Sequence, residues 1–321
     1  MANNQIVGFD IPHRVVSARR RVELREGILQ EHNRGGLSDL IYRSYTRIFE
    51  CPVPAEVTNA SSLIIGAVAH PRSRIPFIWK ERKFYLTIAP SYIRYWEITE
   101  EYEKKLNALL EHLGYWVRFA RVPQKTLAVW SGLAAYGRNN ITYVSGLGSF
   151  YMLVSYYSNM PTAGAEHEIW NGPVLMDRCR QCTACLKACP SGAIRQEAFP
   201  IHQDRCLTFY SGYSGPQDFP QWLDPDWVDC LVGCLRCQGI CPENKPFRFF
   251  SSNEEGFSAE ETEALCRGLT PSNVPKVISE KLNRLGLIRF FGESECLEML
   301  AKRLALFISR LEAVRIPWHP P

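Results

Sequence analysis

Apolar positions recur along the first half of the chain with two different periods. "SSLIIGAVAH", residues 61–70, is a short, nearly continuous apolar run and predicts a buried strand. From Thr99, "TEEYEKKLNALLEHLG" spaces its apolar residues as one helical face, and Gly114 suits a C-terminal cap. "YWVRFARV" then alternates as a strand does, "KTLAVWSGLAAYG" reads as helix, and "SFYMLVSYYSN", 149–159, is rich in strand formers. Residues 1–50, with runs such as "SARRRVELREGILQEHN", read as helical. The alternation predicts an α/β domain over 1–172. Beyond 250, "FSAEETEALCRGL", "VPKVISEKLNRLGL" and "ECLEMLAKRLALFISRLEAV" are amphipathic and predict a helical cap over 251–321. No repeat long enough for a solenoid occurs.

Composition adds bounds. With 321 residues, 46% apolar and 22% charged, the chain can bury a proper core and is ordinary for a globular protein. A formal charge of +4 is too small to argue for nucleic acid, and no nucleic-acid partner is expected. The one dense basic run, "SARRRVELR", is read as a solvated helix face. No apolar run approaches eighteen residues, and the N-terminal stretch lacks a basic start followed by an apolar core, so no membrane association is expected and the cytoplasm is the expected compartment.

Twelve cysteines without an export signal argue for metal ligation rather than disulfides. Nine of them lie between 179 and 241. The first run is Cys179-x2-Cys182-x2-Cys185-x3-Cys189-Pro190, the spacing with which bacterial ferredoxins hold [4Fe–4S] clusters. The second, Cys230-x3-Cys234-x2-Cys237-x3-Cys241-Pro242, nearly repeats it. Paired Cys-x2-Cys motifs also build zinc sites, but zinc does not call for the x2, x2, x3 order closed by proline. In the ferredoxin run the fourth cysteine serves the other cluster. Cys179, Cys182, Cys185 and Cys241 should therefore hold one cluster, and Cys189, Cys234 and Cys237 the other. Its last ligand is Cys206 or Cys230, and spacing does not choose between them. Cys51, Cys266 and Cys296 are expected to be buried apolar residues. This region, 173–250, is the expected ferredoxin-like domain.

"SGLAAYGRNNITYVSGLGSF", 131–150, combines four glycines, two asparagines and Ser149 between apolar segments. Such a backbone lets a bulky ligand approach closely, although a hairpin with glycine turns would look the same. It is neither a dinucleotide fingerprint nor a P-loop. Together with "CRQCTACLKACPSGAI", "DRCLTF" and "CLRCQGICPENK", this loop is similar to the epoxyqueuosine reductase and reductive dehalogenase superfamily, over about 110–247. The resemblance implies an α+β fold: a nitroreductase-like domain that binds cobalamin, a double-cluster ferredoxin module and C-terminal helices. It implies corrinoid contacts at Gly137, Arg138, Asn139, Asn140, Gly148, Ser149 and Thr208, and it selects Cys206 as the eighth cluster ligand.

The chain also departs from that family. Epoxyqueuosine reductases carry a catalytic aspartate upstream of the glycine loop, and an ungapped count places Arg118 there, with no carboxylate nearby in sequence. The C-terminal helices are shorter than the repeat domain that implies tRNA binding, and the export signal of respiratory dehalogenases is missing. Catalytic candidates are Arg118 and Tyr143; Tyr92, Tyr95 and Trp96 could line a cavity. None of the seven histidines is marked as a cobalt ligand. The expected function is a reductase in which two clusters relay electrons from an external ferredoxin or flavodoxin to cobalamin, acting on a small molecule. The alternatives are reductive activation of another corrinoid protein, or a different cofactor such as a flavin.

Overall fold

The computed structural model describes residues 6–164, 168–196, 199–211, 219–247, 250–252 and 255–313. It opens with β1 (His13–Ser17), then α1 (Arg20–Asn33), α2 (Asp39–Ser44) and α3 (Thr46–Phe49). The helical reading of 1–50 thus overlooked β1, whose five residues are held in register by the next strand. That strand, β2 (Ser62–Ala69), coincides with the predicted apolar run. β3 (Arg72–Trp79) and β4 (Arg82–Ile88) form a hairpin. Its signal is concealed: Pro76 interrupts β3, and the turn residues Lys80 and Glu81 take positive φ without the usual Asn or Gly.

α4 (Tyr95–Leu110) begins at Tyr95 rather than Thr99, whose hydroxyl donates to the Tyr95 carbonyl at 2.7 Å inside the helix. Gly114 takes the left-handed conformation expected of it, with φ +78°. β5 (Val117–Phe119), α5 (Gln124–Trp130), the short pair β6 (Ala135–Tyr136) and β7 (Thr142–Tyr143), and β8 (Tyr151–Ser158) follow.

The first sheet has the order β1-β2-β8-β5 and is antiparallel throughout. All eight residues of β8 are buried because both faces are covered. Leu63, Ile65 and Tyr157 pack with Leu24 of α1 and Leu127 of α5, while Ile64, Val154 and Tyr156 pack with Leu106 and Leu110 of α4. Two-residue alternation splits one apolar run between two cores. Burial of each such side chain contributes roughly 1.5–3 kcal/mol.

The cluster region supplies α6 (Ala184–Ala188), α7 (Leu207–Ser211), β9 (Cys230–Val232), α8 (Arg236–Ile240) and β10 (Phe250–Ser252). α9 (Ala259–Arg267), α10 (Lys276–Arg284), α11 (Leu287–Phe291) and α12 (Glu293–Ala313) complete the chain. α9 opens on a capping box in which Ser258 and Glu261 bond each other's backbone.

The boundaries expected at 172 and 250 do not separate hydrogen-bonded units. The second sheet runs β10-β3-β4-β9, pairing strands from the first and second expected domains, and β10 lies across the 250/251 boundary. The C-terminal helices close its core: Ile75, Phe77, Leu86 and Ile88 meet Leu265, Ile278, Leu297 and Leu304. Cys51 and Cys296 are buried as expected, and Cys266 packs half-buried on that same core. Among the described residues, no helix is long and apolar enough to cross a membrane.

Candidate iron–sulfur and cofactor site

The two cysteine runs fold alike. A turn of 3-10 helix at Asp177–Arg180 leads to α6, and Cys189 then leaves it in extended conformation before Pro190. α8 ends in the same way at Cys241, before Pro242. Proline has no N–H for a further helical bond, so each short helix stops and throws its last cysteine across to the other run. α6 packs on α8.

This crossing gathers the thiols into two sets. Cys179, Cys182, Cys185 and Cys241 line one small cavity, of about 20 Å3, together with Gly137, Asn139 and Tyr143 of the glycine loop. Cys206 lies in the field of Cys189, and Cys234 and Cys237 lie in that of Cys206. Burial pushes the Cys234 thiol up to about 12 and raises Cys206 and Cys237 as well. Cys230 also feels Cys234, but it sits in β9 with its side chain packed among Ala89, Phe150 and Leu235. The donor sets fit two cubane clusters. Among the described residues, no three Cys, His, Asp or Glu side chains converge as a single metal ion requires.

The glycine loop is bound to the cluster module rather than left open. The Arg138 N–H donates to the Cys179 sulfur at 3.4 Å. Its guanidinium donates to the carbonyls of Cys179, Arg180, Cys182 and Gln196. The Tyr143 hydroxyl accepts from Asn139 at 3.0 Å and meets the Cys241 thiol; burial first, then that thiol, raises it well above the ordinary phenol range. Tyr143 is therefore an O–H donor at any working pH.

At the loop's far end, the Ser149 N–H donates to Asn244 Oδ1 at 2.8 Å and its hydroxyl to Gln238 Oε1 at 2.9 Å. Asn244 Nδ2 returns bonds to Ser149 Oγ and the Gln238 carbonyl, both at 2.8 Å. All three side chains are buried and satisfied, which makes the network costly to break. A Cβ on Gly148, at φ +61°, would stand 2.6 Å from Asn244 Oδ1 and 2.7 Å from Phe247.

Several residues expected at the corrinoid lie along this seam: Arg138, Asn139, Gly148 and Ser149 bond or abut protein, and a Cβ on Gly137 would meet Asn139 and Tyr143. Gln238 and Asn244 carry the other half of the seam and were not legible in sequence. Thr208 donates through N–H and hydroxyl to the Cys206 sulfur. Asn140 holds φ +57°, and its carbonyl accepts from Lys125 Nζ at 3.1 Å. Lys125 is solvent-accessible, yet burial depresses its amine, and it feels Cys206 and Cys237. It therefore lies close to the second thiol set. Lys125 and Thr208 supply hydrogen-bond donors there and the Asn140 carbonyl an acceptor, and none of the three is a strong cobalt ligand.

Arg118 does not join these groups. It is exposed on β5, its guanidinium bonded to the Val117 carbonyl at 2.8 Å. The expectation of no nearby carboxylate needs correcting in space: Glu103 of α4 accepts from the Phe119 N–H at 3.0 Å and feels Arg118, and burial raises its carboxyl. Its bond ties α4 to β5. Of the four aromatic candidates only Tyr143 lines the thiol cavity. Tyr92, Tyr95 and Trp96 pack against Phe290, Phe291 and Phe119.

Comparison with known proteins agrees with this architecture. Residues 178–244 match the family of 4Fe-4S double cluster binding domains. An epoxyqueuosine reductase of Cyclobacterium marinum is 30% identical over 156 residues, which are 46% of this chain and 47% of that protein. The chain therefore matches about half the length of such curated relatives. Among solved structures, epoxyqueuosine reductase from Bacillus subtilis aligns over 96% of this chain and 79% of its own, with TM-score 0.56 and 18% identity. It is described with an aspartate-bearing catalytic loop swung out of the active site. Another epoxyqueuosine reductase, solved with an epoxyqueuosine-modified tRNA stem loop, aligns over 96% and 79% with TM-score 0.56 and 19% identity. The fold is that of epoxyqueuosine reductases, mixed α and β with a double-cluster domain. The expectation of no nucleic-acid partner conflicts with the tRNA-bound relative.

Proposed function

We propose that this chain is a cytoplasmic, corrinoid-dependent reductase whose two [4Fe–4S] clusters pass electrons from a small carrier protein to cobalamin. The observation that carries this reading is the joining of the glycine loop to the cluster module, with Gly137, Asn139 and Tyr143 in the wall of the first thiol cavity. The resemblance to epoxyqueuosine reductases supplies the cofactor.

Cys179, Cys182, Cys185 and Cys241 would hold the first cluster, and Cys189, Cys206, Cys234 and Cys237 the second. The N–H of Arg138 and the hydroxyl of Tyr143 point at sulfurs of the first set, and Thr208 at one of the second. Hydrogen bonds to sulfur tune cluster potentials. Lys125, the Asn140 carbonyl and Thr208 would line a recess beside the second cluster and hold the corrinoid there. When bound, cobalamin supplies a reducible cobalt that hands electrons to the substrate. The seam keeps loop and clusters in fixed relation and excludes water between them.

A substrate carried on tRNA is the first to test, given the tRNA-bound relative. Anaerobically reconstituted protein would be mixed with cobalamin, and the cobalt spectrum and retained corrinoid measured. Stoichiometric retention with altered cobalt bands supports the reading; retention of flavin instead would overturn it. The same sample would then receive epoxyqueuosine-containing tRNA and a strong reductant. Epoxide opening needs a proton as the C–O bond breaks, and Arg118 cannot give one. Turnover should therefore fall roughly 10²–10⁴-fold below that of a reductase with the aspartate. Equal turnover would show that another group supplies the proton.

A further inference from the structure

We propose that the face over the first thiol set is the docking surface for a small acidic electron-carrier protein, of the ferredoxin or flavodoxin class. The inference rests on the electron-relay reading above but adds where the electron enters and what recognises its donor.

Segments distant in sequence meet on this face. Arg178 and Arg180 flank Cys179, Lys187 lies between Cys185 and Cys189, and Arg195 and Lys245 follow the two runs; all five are exposed. The Arg138 guanidinium draws the Cys179, Arg180, Cys182 and Gln196 carbonyls to one point, and an Arg178–Glu243 ion pair at 2.5 Å joins the first run to the second. Glu243 is thereby paired, and Asp177 is paired with Arg180 at 3.3 Å. Lys187, Arg195 and Lys245 have no acidic partner among the described residues, so the described part of the face carries more positive than negative charge.

An apolar spot adjoins the last ligand of the first thiol set. Ile240, directly before Cys241, is 48% exposed, and a Cβ on neighbouring Gly239 would meet nothing within 4 Å. An exposed isoleucine beside a cluster ligand, on a module that also exposes several cations, suits a small electron-transfer interface, with apolar contact for docking and charge for steering. The second thiol set lies beside Lys125 and Tyr92 instead. That leaves the first cluster as the entry point and the second as the one facing the recess. Charge alone would also suit RNA, but thiols lying directly beneath the face favour a redox partner.

The test follows cluster bleaching in the iron-loaded protein, without corrinoid or substrate, so its outcome is independent of what the recess binds. Two reductants would be compared by stopped flow: reduced flavodoxin, which is acidic, and reduced methyl viologen, a small cation that needs no docking. The variants are Lys187→Glu/Arg195→Glu/Lys245→Glu and the corresponding glutamine triple, used if the first loses iron. Reduction by flavodoxin should slow roughly tenfold at low ionic strength and lose most of its salt dependence. Reduction by viologen should not slow. An unchanged flavodoxin rate would overturn the proposal, as would equal slowing with both reductants, which would place the defect in the cluster itself. Loss of affinity for a tRNA stem loop with an unchanged flavodoxin rate would assign the face to RNA and also overturn it.

Discussion

Arg138 and Cys179 are joined twice, once by the Arg138 N–H on the cysteine sulfur and once by its guanidinium on the cysteine carbonyl. A residue of the glycine loop thus sets both the shape and the charge around the first cluster. Arg138, expected from the resemblance at the corrinoid, is bonded here to the first cysteine run.

Replacing that side chain separates the two bonds, because Arg138→Met keeps the N–H and removes the cation. The midpoint potential of the first cluster should fall by about 60 mV, equivalent to a tenfold change in a one-electron equilibrium, with the second unchanged. A redox titration monitored by EPR reads both. A shift shared equally by the two clusters would point to general loosening of the module.

Iron content discriminates the eighth ligand. Two four-iron clusters require about eight irons per chain. Cys206→Ala should lower the count toward about four, because the thiol belongs to the second set beside Cys189. Cys230→Ala should keep the iron and cost ~1 kcal/mol of stability, since its sulfur packs among Ala89, Phe150 and Leu235. The reverse pattern would place Cys230 on the cluster.

Gly148→Val meets a doubly hostile site, a left-handed backbone and the Asn244 side chain at 2.6 Å. It should strain the backbone by roughly 1–3 kcal/mol and break the buried Ser149–Gln238–Asn244 network. The expected result is a protein that loads less iron and unfolds earlier in denaturant. Full iron with only corrinoid uptake lost would restore Gly148 to the cofactor.

Acid sensitivity should centre on His70. Burial first, and Arg94 second, lower its folded pKa to about 4 from 6.5, and its Nε2 has no partner among the described residues. As pH falls below 6.5, the unfolded chain takes up this proton before the fold does. Stability is therefore full above 6.5 and lost progressively down to about 4. By pH 5.5 the loss should be on the order of 1 kcal/mol. Denaturant midpoints at pH 7.5 and 5.5 should differ more in the native protein than in His70→Gln; equal differences would exclude His70 as the source.

How much of this was legible depended on whether a feature is written locally. The x2, x3-Pro spacing common to both runs matches two short helices that each end at an extended cysteine, because the pattern of each run lies within a dozen residues. β2, β8 and Gly114 were legible for the same reason: a local period or a glycine cap suffices. The β3–β4 hairpin was not, since Pro76 and the Lys80–Glu81 turn contradict the usual signals and pairing to β9 and β10 supplies what they lack. The resemblance chose Cys206 over Cys230; the structure alone shows that Cys230 belongs to a strand. The roles of Arg138, Ser149, Gln238 and Asn244 were also decided in tertiary structure. Such polar side chains have many possible partners in sequence, and only packing two distant segments face to face leaves each donor a single acceptor within reach.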